Sequence, residues 1–132
     1  MARCAMALGG TAALFGALDL AHKAVVDAGA VHPRSAGYVA VVAGLCFAWT
    51  GAIVLTRSVA IGVAGGFLAG GAFGNLVSLA FWPGVPNPIV TRSFAFNLAD
   101  VCVIVGLAAV SMFALRLVRL ERERLDEPLR LR

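Results

Sequence analysis

"IGVAGGFLAGGAFGNLVSLAF", residues 61–81, runs for 21 residues without a charged side chain. Crossing the ~30 Å hydrocarbon core of a bilayer takes ~20 apolar residues as a helix, so this stretch has the length and character of a membrane span. Working outward, the same reading finds three more apolar runs, and the spans are expected at about residues 5–28, 37–56, 59–82 and 95–117. Of the 132 residues 61% are hydrophobic and only 14% charged, more apolar surface than a soluble core of this size could hide. The expected fold class is an all-α membrane protein, a four-transmembrane-helix bundle within residues 1–117, followed by a charged tail over 118–132. The first run reads as a span and not as a cleaved leader, because Asp19 and Lys23 interrupt it and no clear cleavage site follows.

The connections are short and carry turn signals. "GAVHPRSAG" joins the first two spans, Arg57 and Ser58 turn between the second and third, and "PGVPNPIVTRS" follows the third. Pro83, Pro86 and Pro88 in that last segment forbid helix continuation. Arg3, Arg57 and the six tail arginines (Arg116, Arg119, Arg122, Arg124, Arg130, Arg132) fall on one side of the bundle, against Arg34 and Arg92 on the other. Because Lys and Arg concentrate in cytoplasmic segments, both termini are expected in the cytoplasm. The net charge of +4 is then mostly a topology signal, and no nucleic-acid partner is implied. The tail intersperses arginine with Glu121, Glu123, Asp126 and Glu127, the pattern of a solvated helical extension. Cys4, Cys46 and Cys102 are scattered through apolar runs, and His22 and His32 stand apart, so neither a disulfide framework, a metal nor a cofactor is expected. His32 reads as a wet loop residue.

Within the third span Gly62, Gly66, Gly70 and Gly74 recur every four residues. Such a stripe lets transmembrane helices approach closely, either inside one bundle or against a helix-helix partner. Strongly polar residues occur at matching depths. At ~1.5 Å per residue from the outer span ends, Asp100 lies about 8 Å in, Asn75 about 10 Å and Asp19 about 13 Å, with Lys23 and Ser78 shallower. Charged groups in the membrane cost at least ~2.5–3.5 kcal/mol near its centre, so they are ordinarily paired, turned inward and functional. Two plainer readings stand beside that one. Asp19 and Lys23, four apart on one helix, can simply neutralise each other. Asn97 can cap the fourth helix, with Asp100 in its first turn.

Three segments resemble the lipoprotein signal peptidases (signal peptidase II), four-helix aspartic peptidases of the bacterial plasma membrane. Asp19-x-x-x-Lys23 in "LDLAHK" is similar to the family's first-helix motif, the Gly70-to-Asn75 run of "GGAFGNLVSL" to its third-helix motif, and "FNLAD" to its fourth-helix motif. The resemblance covers about residues 14–112 and puts Asp100 at one catalytic aspartate. It also implies departures. The family's Asn-x-x-Asp-Arg pattern continues here into Ser78 and Leu79, the second catalytic aspartate corresponds to Asn87 in "VPNPI", and the outer loop between the first two helices is cut to a few residues. Two carboxylates sharing a proton can divide base and acid work, and a carboxamide does neither. Losing such assistance costs a factor of ~10²–10⁴. The resemblance therefore implies a degenerate homologue that binds lipidated or transmembrane segments without cutting them, with Asp19, Lys23, Asn75, Ser78 and Asn97 as polar binding residues. An active peptidase that recruits Asp19 or Asp27 as its second carboxylate, and a structural subunit docking through the glycine stripe, are the competing expectations. Membrane lipid is the expected surrounding in each case, in a bacterial plasma membrane.

Overall fold

The computed structural model describes the backbone of residues 1–130 and the side chains of residues 1–126. Four helices account for about three-quarters of it: α1 (Ala2–Val25), α2 (Ala36–Leu55), α3 (Val59–Phe81) and α4 (Leu98–Arg130). All four are long and apolar enough to cross a membrane. Two short antiparallel pairs, β1 (Ala30–His32) with β2 (Val85–Asn87) and β3 (Ile89–Val90) with β4 (Ala95–Phe96), sit in the connections at one end of the bundle. The connection between α1 and α2 is thus more than a bare link, since it adds a strand to the segment after α3.

Helix ends follow local side chains. Ser35 Oγ accepts the Tyr38 N–H at 3.2 Å and opens α2, and Ser58 Oγ accepts the Ile61 N–H at 3.4 Å and opens α3. α1 starts and stops about three residues earlier than expected from hydropathy, because Val26 turns extended ahead of Asp27 and Gly29. The fourth span was expected from residue 95, but Ala95 and Phe96 are strand and the helix begins at Leu98, where the Asn97 side chain caps it. α4 then runs without a break into the charged tail, so its 33 residues extend ~50 Å, well beyond the ~30 Å a bilayer core requires. Arg132 and the side chains of Glu127 and Arg130 lie outside the described residues.

α3 is the hub. Its glycines face two neighbours, and the predicted stripe is filled by α1: a Cβ at Gly62, Gly66 or Gly70 would stand 2.7–2.8 Å from the carbonyl oxygens of Cys4, Leu8 or Ala12. Gly71 instead lies against the Ala99 carbonyl of α4, so one turn of α3 approaches both neighbours at backbone contact. In this fold the stripe serves packing within the chain. Cys4, Leu8, Ile53, Ile61, Ala64 and Val110 close the apolar core at the end remote from the strands. α2 is different, burying only Ile53 and standing at the margin of the bundle. Between α2 and α4, with α3 as floor, two cavities of about 220 and 230 Å³ meet at Ala72 and form a groove along the bundle.

Candidate functional site

The polar layer comes together beneath the strand pairs. From α1, Lys23 Nζ donates to Asp19 Oδ2 at 2.6 Å, Asn75 Oδ1 at 2.7 Å and Ser78 Oγ at 3.0 Å, which uses all three ammonium hydrogens. Asp19 and Lys23 are 0% and 3% exposed, so a helical pair of four-residue spacing has become a buried ion pair. Asp19 Oδ1 accepts the Ala99 N–H at 2.9 Å, and this satisfies a first-turn donor of α4 that the helix itself cannot. Gly74 makes room for this carboxylate, because a Cβ there would stand 2.7 Å from Asp19 Oδ2. Ser78 passes its own hydrogen back to the Gly74 carbonyl at 2.7 Å.

Asp100 is held separately. Asn75 Nδ2 donates to its Oδ1 at 2.9 Å and the Asn97 N–H to its Oδ2 at 3.1 Å, while the Asp100 N–H returns to Asn97 Oδ1 at 3.0 Å. The reciprocal exchange between residues 97 and 100 is a capping box, so the plainer reading of "FNLAD" holds. The site reading gains geometric support as well, because the same Asn97, 0% exposed, turns its amide nitrogen to Asn87 Oδ1 at 2.7 Å, Asn75 Oδ1 at 3.0 Å and the Pro86 carbonyl at 3.1 Å. Asn87 itself donates to His32 Nδ1 at 2.6 Å.

Seven of the polar residues singled out in the sequence therefore belong to one hydrogen-bonded cluster. Asp19, Lys23, Asn75 and Ser78 form one half of it and Asn97, Asp100 and Asn87 the other, joined at Asn75 Oδ1. Asp27 is exposed beyond the end of α1 and is not part of the cluster. His32 is exposed, as expected of a wet residue, but it does not stand apart: β1 pairing on β2 delivers its ring to Asn87. The alternation needed to announce β1 is missing from three residues.

One side of this cluster opens. Asn75 and Asp100 line the 220 Å³ cavity whose other walls include Tyr38 and Val42 of α2, Leu76 of α3 and Val103 of α4. Asp100 is half-buried, in contrast to Asp19. The continuation of the groove, past Leu45, Trp49, Leu68 and Leu107, is apolar. An elongated apolar group with one polar end is the shape such a groove accepts. Among the described residues no group of three His, Cys, Asp or Glu side chains has the placement of a metal site.

Comparisons against family models, curated proteins and solved structures each find no match to this chain.

Proposed function

We propose that this chain is a signal-peptidase-II-like protein of a bacterial plasma membrane, with cytoplasmic termini, that binds a lipidated or transmembrane segment in the α2–α4 groove and does not cleave it. The observation that carries this reading is the partner set of Asp100. Its two oxygens face Asn75 Nδ2 and the Asn97 N–H, and Asn87, where the resemblance calls for the second catalytic aspartate, presents an amide. General acid–base cleavage of a peptide needs a second titratable group within reach of the same water. Asp19 does not serve, since both its oxygens are taken by Lys23 and Ala99 in a buried pair. Asp27 does not serve either, being exposed on the connection after α1.

What supports binding is the combination of an apolar groove with a polar end. Acyl chains or the side of an apolar helix fit between α2 and α4, and a backbone amide or glyceryl hydroxyl can donate to Asp100 or accept from Asn75. The marginal packing of α2 supports a groove that widens without breaking the α1–α3–α4 core. The test is a paired binding and cleavage assay on the purified protein in lipid nanodiscs, with a diacylglyceryl-modified prolipoprotein. Retention of intact substrate is expected, and Val42→Trp, which fills the polar end of the groove, is expected to weaken it at least ~10-fold, the loss of one well-packed contact set. Substrate cleavage that disappears in Asp100→Asn would overturn the reading in favour of an active peptidase. Binding unaffected by Val42→Trp would remove the groove from it.

A further inference from the structure

Hydrogen-bond polarity along the cluster leads to a consequence at its exposed end. The Asp100 backbone N–H has a fixed direction, and it donates to Asn97 Oδ1, so the other arm of the Asn97 amide is its NH2. That NH2 faces Asn87, which must therefore present Oδ1 inward and its own NH2 outward. The outward NH2 meets His32 Nδ1 at 2.6 Å, and a donor there requires the ring nitrogen to carry a lone pair. The whole sequence of donors and acceptors is set by one peptide group of α4 and admits a single ring state, neutral with the proton on Nε2.

We infer that His32 is an acid-releasable latch: the neutral imidazole holds β1 over the site through Asn87, and protonation lets go. An imidazolium has N–H at both nitrogens, so at Nδ1 a donor would face a donor. Rotating the Asn87 amide to relieve this would turn its NH2 onto the Asn97 NH2, moving the conflict one step inward to a side chain that cannot rotate without leaving the Asp100 N–H unpaired. Four other observations bear on this placement. His32 is exposed and reachable by protons, whereas Asn87 and Asn97 are buried, so ionisation at the surface is transmitted to the interior. Beneath the His32 carbonyl, Gly84 comes so close that a Cβ would stand 2.6 Å from the oxygen, so the strand lies flat on the segment it covers. β2, the element against which β1 packs, offers Val85, Pro86 and Asn87 and no titratable group. The charged groups in the neighbourhood are Asp27 and Arg34 on the same connection, the latter with its guanidinium 4.8 Å from the Tyr38 ring centroid, and Asp100 on the far side of Asn97. Among the described residues none of these forms an ion pair with His32.

His32 is thus a positioning residue for the cap of the site, and the inference does not depend on what the groove binds. Two measurements on the full chain in nanodiscs test it. In ¹⁵N-histidine NMR at neutral pH, with His22→Asn used to assign the second ring, the His32 signals are expected to show Nε2–H and an accepting Nδ1. Amide hydrogen exchange at residues 30–32, 85 and 87 is expected to rise about tenfold between pH 7.5 and 5, beyond the change in intrinsic rate, the effect of losing one hydrogen bond to a donor–donor contact. His32→Ala should exchange fast at both pH values, which separates His32 from Asp27 and Asp100. Asn87→Asp should reverse the sign, because a carboxylate accepts from both Asn97 and a protonated His32 and so tightens as the ring charges. An Nδ1–H tautomer at neutral pH, or the wild-type pH response persisting in His32→Ala, would overturn the latch; an unchanged sign in Asn87→Asp would do the same.

Discussion

The Asp19–Lys23 pair is expected to hold three helices together, Lys23 reaching α3 and Asp19 reaching α4, and removing Lys23 alone should be more damaging than removing the whole charge pair. In Lys23→Met the methylene stem is replaced by a chain of similar length, but Asp19 keeps its charge at 0% exposure with only the Ala99 N–H left as donor. Breaking a buried pair from one side costs ~3–5 kcal/mol, because an uncompensated charge remains. In the double variant Asp19→Asn, Lys23→Met no charge remains, and the neutral amide still offers an oxygen to Ala99. Asn75 Oδ1 retains the Asn97 donor, and Ser78 keeps its bond to the Gly74 carbonyl while its oxygen loses the Lys23 donor, so the loss should be ~1–3 kcal/mol. The single variant should therefore be the less stable by ~2 kcal/mol, a coupling well above what independent sites show. Reversible unfolding in mixed dodecylmaltoside and SDS micelles, followed by far-UV circular dichroism and by the fluorescence of Trp49 and Trp82, measures it directly. Equal losses in the single and double variants, or a loss below ~1 kcal/mol for Lys23→Met, would refute the buried clamp.

Three further outcomes are expected in the same unfolding assay. Gly70→Leu forces a side chain against the Ala12 carbonyl and Cα of α1 and should cost at least ~1–3 kcal/mol, whereas Gly44→Leu on α2, with nothing within 4 Å, should be neutral. Asn97→Ala removes the α4 cap and the bonds to Asn87 and Asn75, so a loss of about 2 kcal/mol or more is expected, together with faster amide exchange in the first turn of α4. Arg57 holds φ at 58° in the turn between α2 and α3, a left-handed conformation without steric penalty only for glycine, and Arg57→Gly should stabilise the fold by about 1 kcal/mol.

The fold was legible where a single number governs it. Four apolar runs of bilayer length become four helices, and a four-residue glycine repeat becomes a close helix contact, because both follow from helix geometry alone. The polar layer was legible for a related reason: depth along a helix converts directly from residue count, so Asp19, Asn75 and Asp100 could be set at one level before any contact was known. Where the chain leaves helix geometry the signal fails. Ala95 and Phe96 are apolar and extend the fourth run by hydropathy, but Asn97 caps the helix after them. His32 and Asn87 are 55 residues apart and meet through a pairing of three residues a side, too short to show alternation in either strand. The capping and site readings of "FNLAD" are one arrangement in the structure: a capping box fixes the direction of the Asn97 amide, and that direction orders the rest of the cluster.

That ordering divides the layer into two parts with different freedom. On the α1 side every hydrogen of Lys23 and both oxygens of Asp19 are committed, to each other, to Asn75 and Ser78 of α3 and to Ala99 of α4, so any change there is a change in stability. On the α2 side Asp100 is half-buried, borders a cavity, and is bonded by one side chain and one peptide group, so a ligand can approach it without displacing the clamp. A carboxylate kept only for capping would need neither a cavity in front of it nor an asparagine on α3 to hold it, since an exposed first-turn Asp is stabilised by the helix terminus and water. The cavity is what separates the two roles. An amide at position 100 keeps one acceptor and turns its NH2 toward a donor, Asn75 Nδ2 or the Asn97 N–H, so Asp100→Asn is expected to cost ~1–3 kcal/mol; if occupancy of the groove in the folded fraction changes as well, the site has a function that the clamp does not supply.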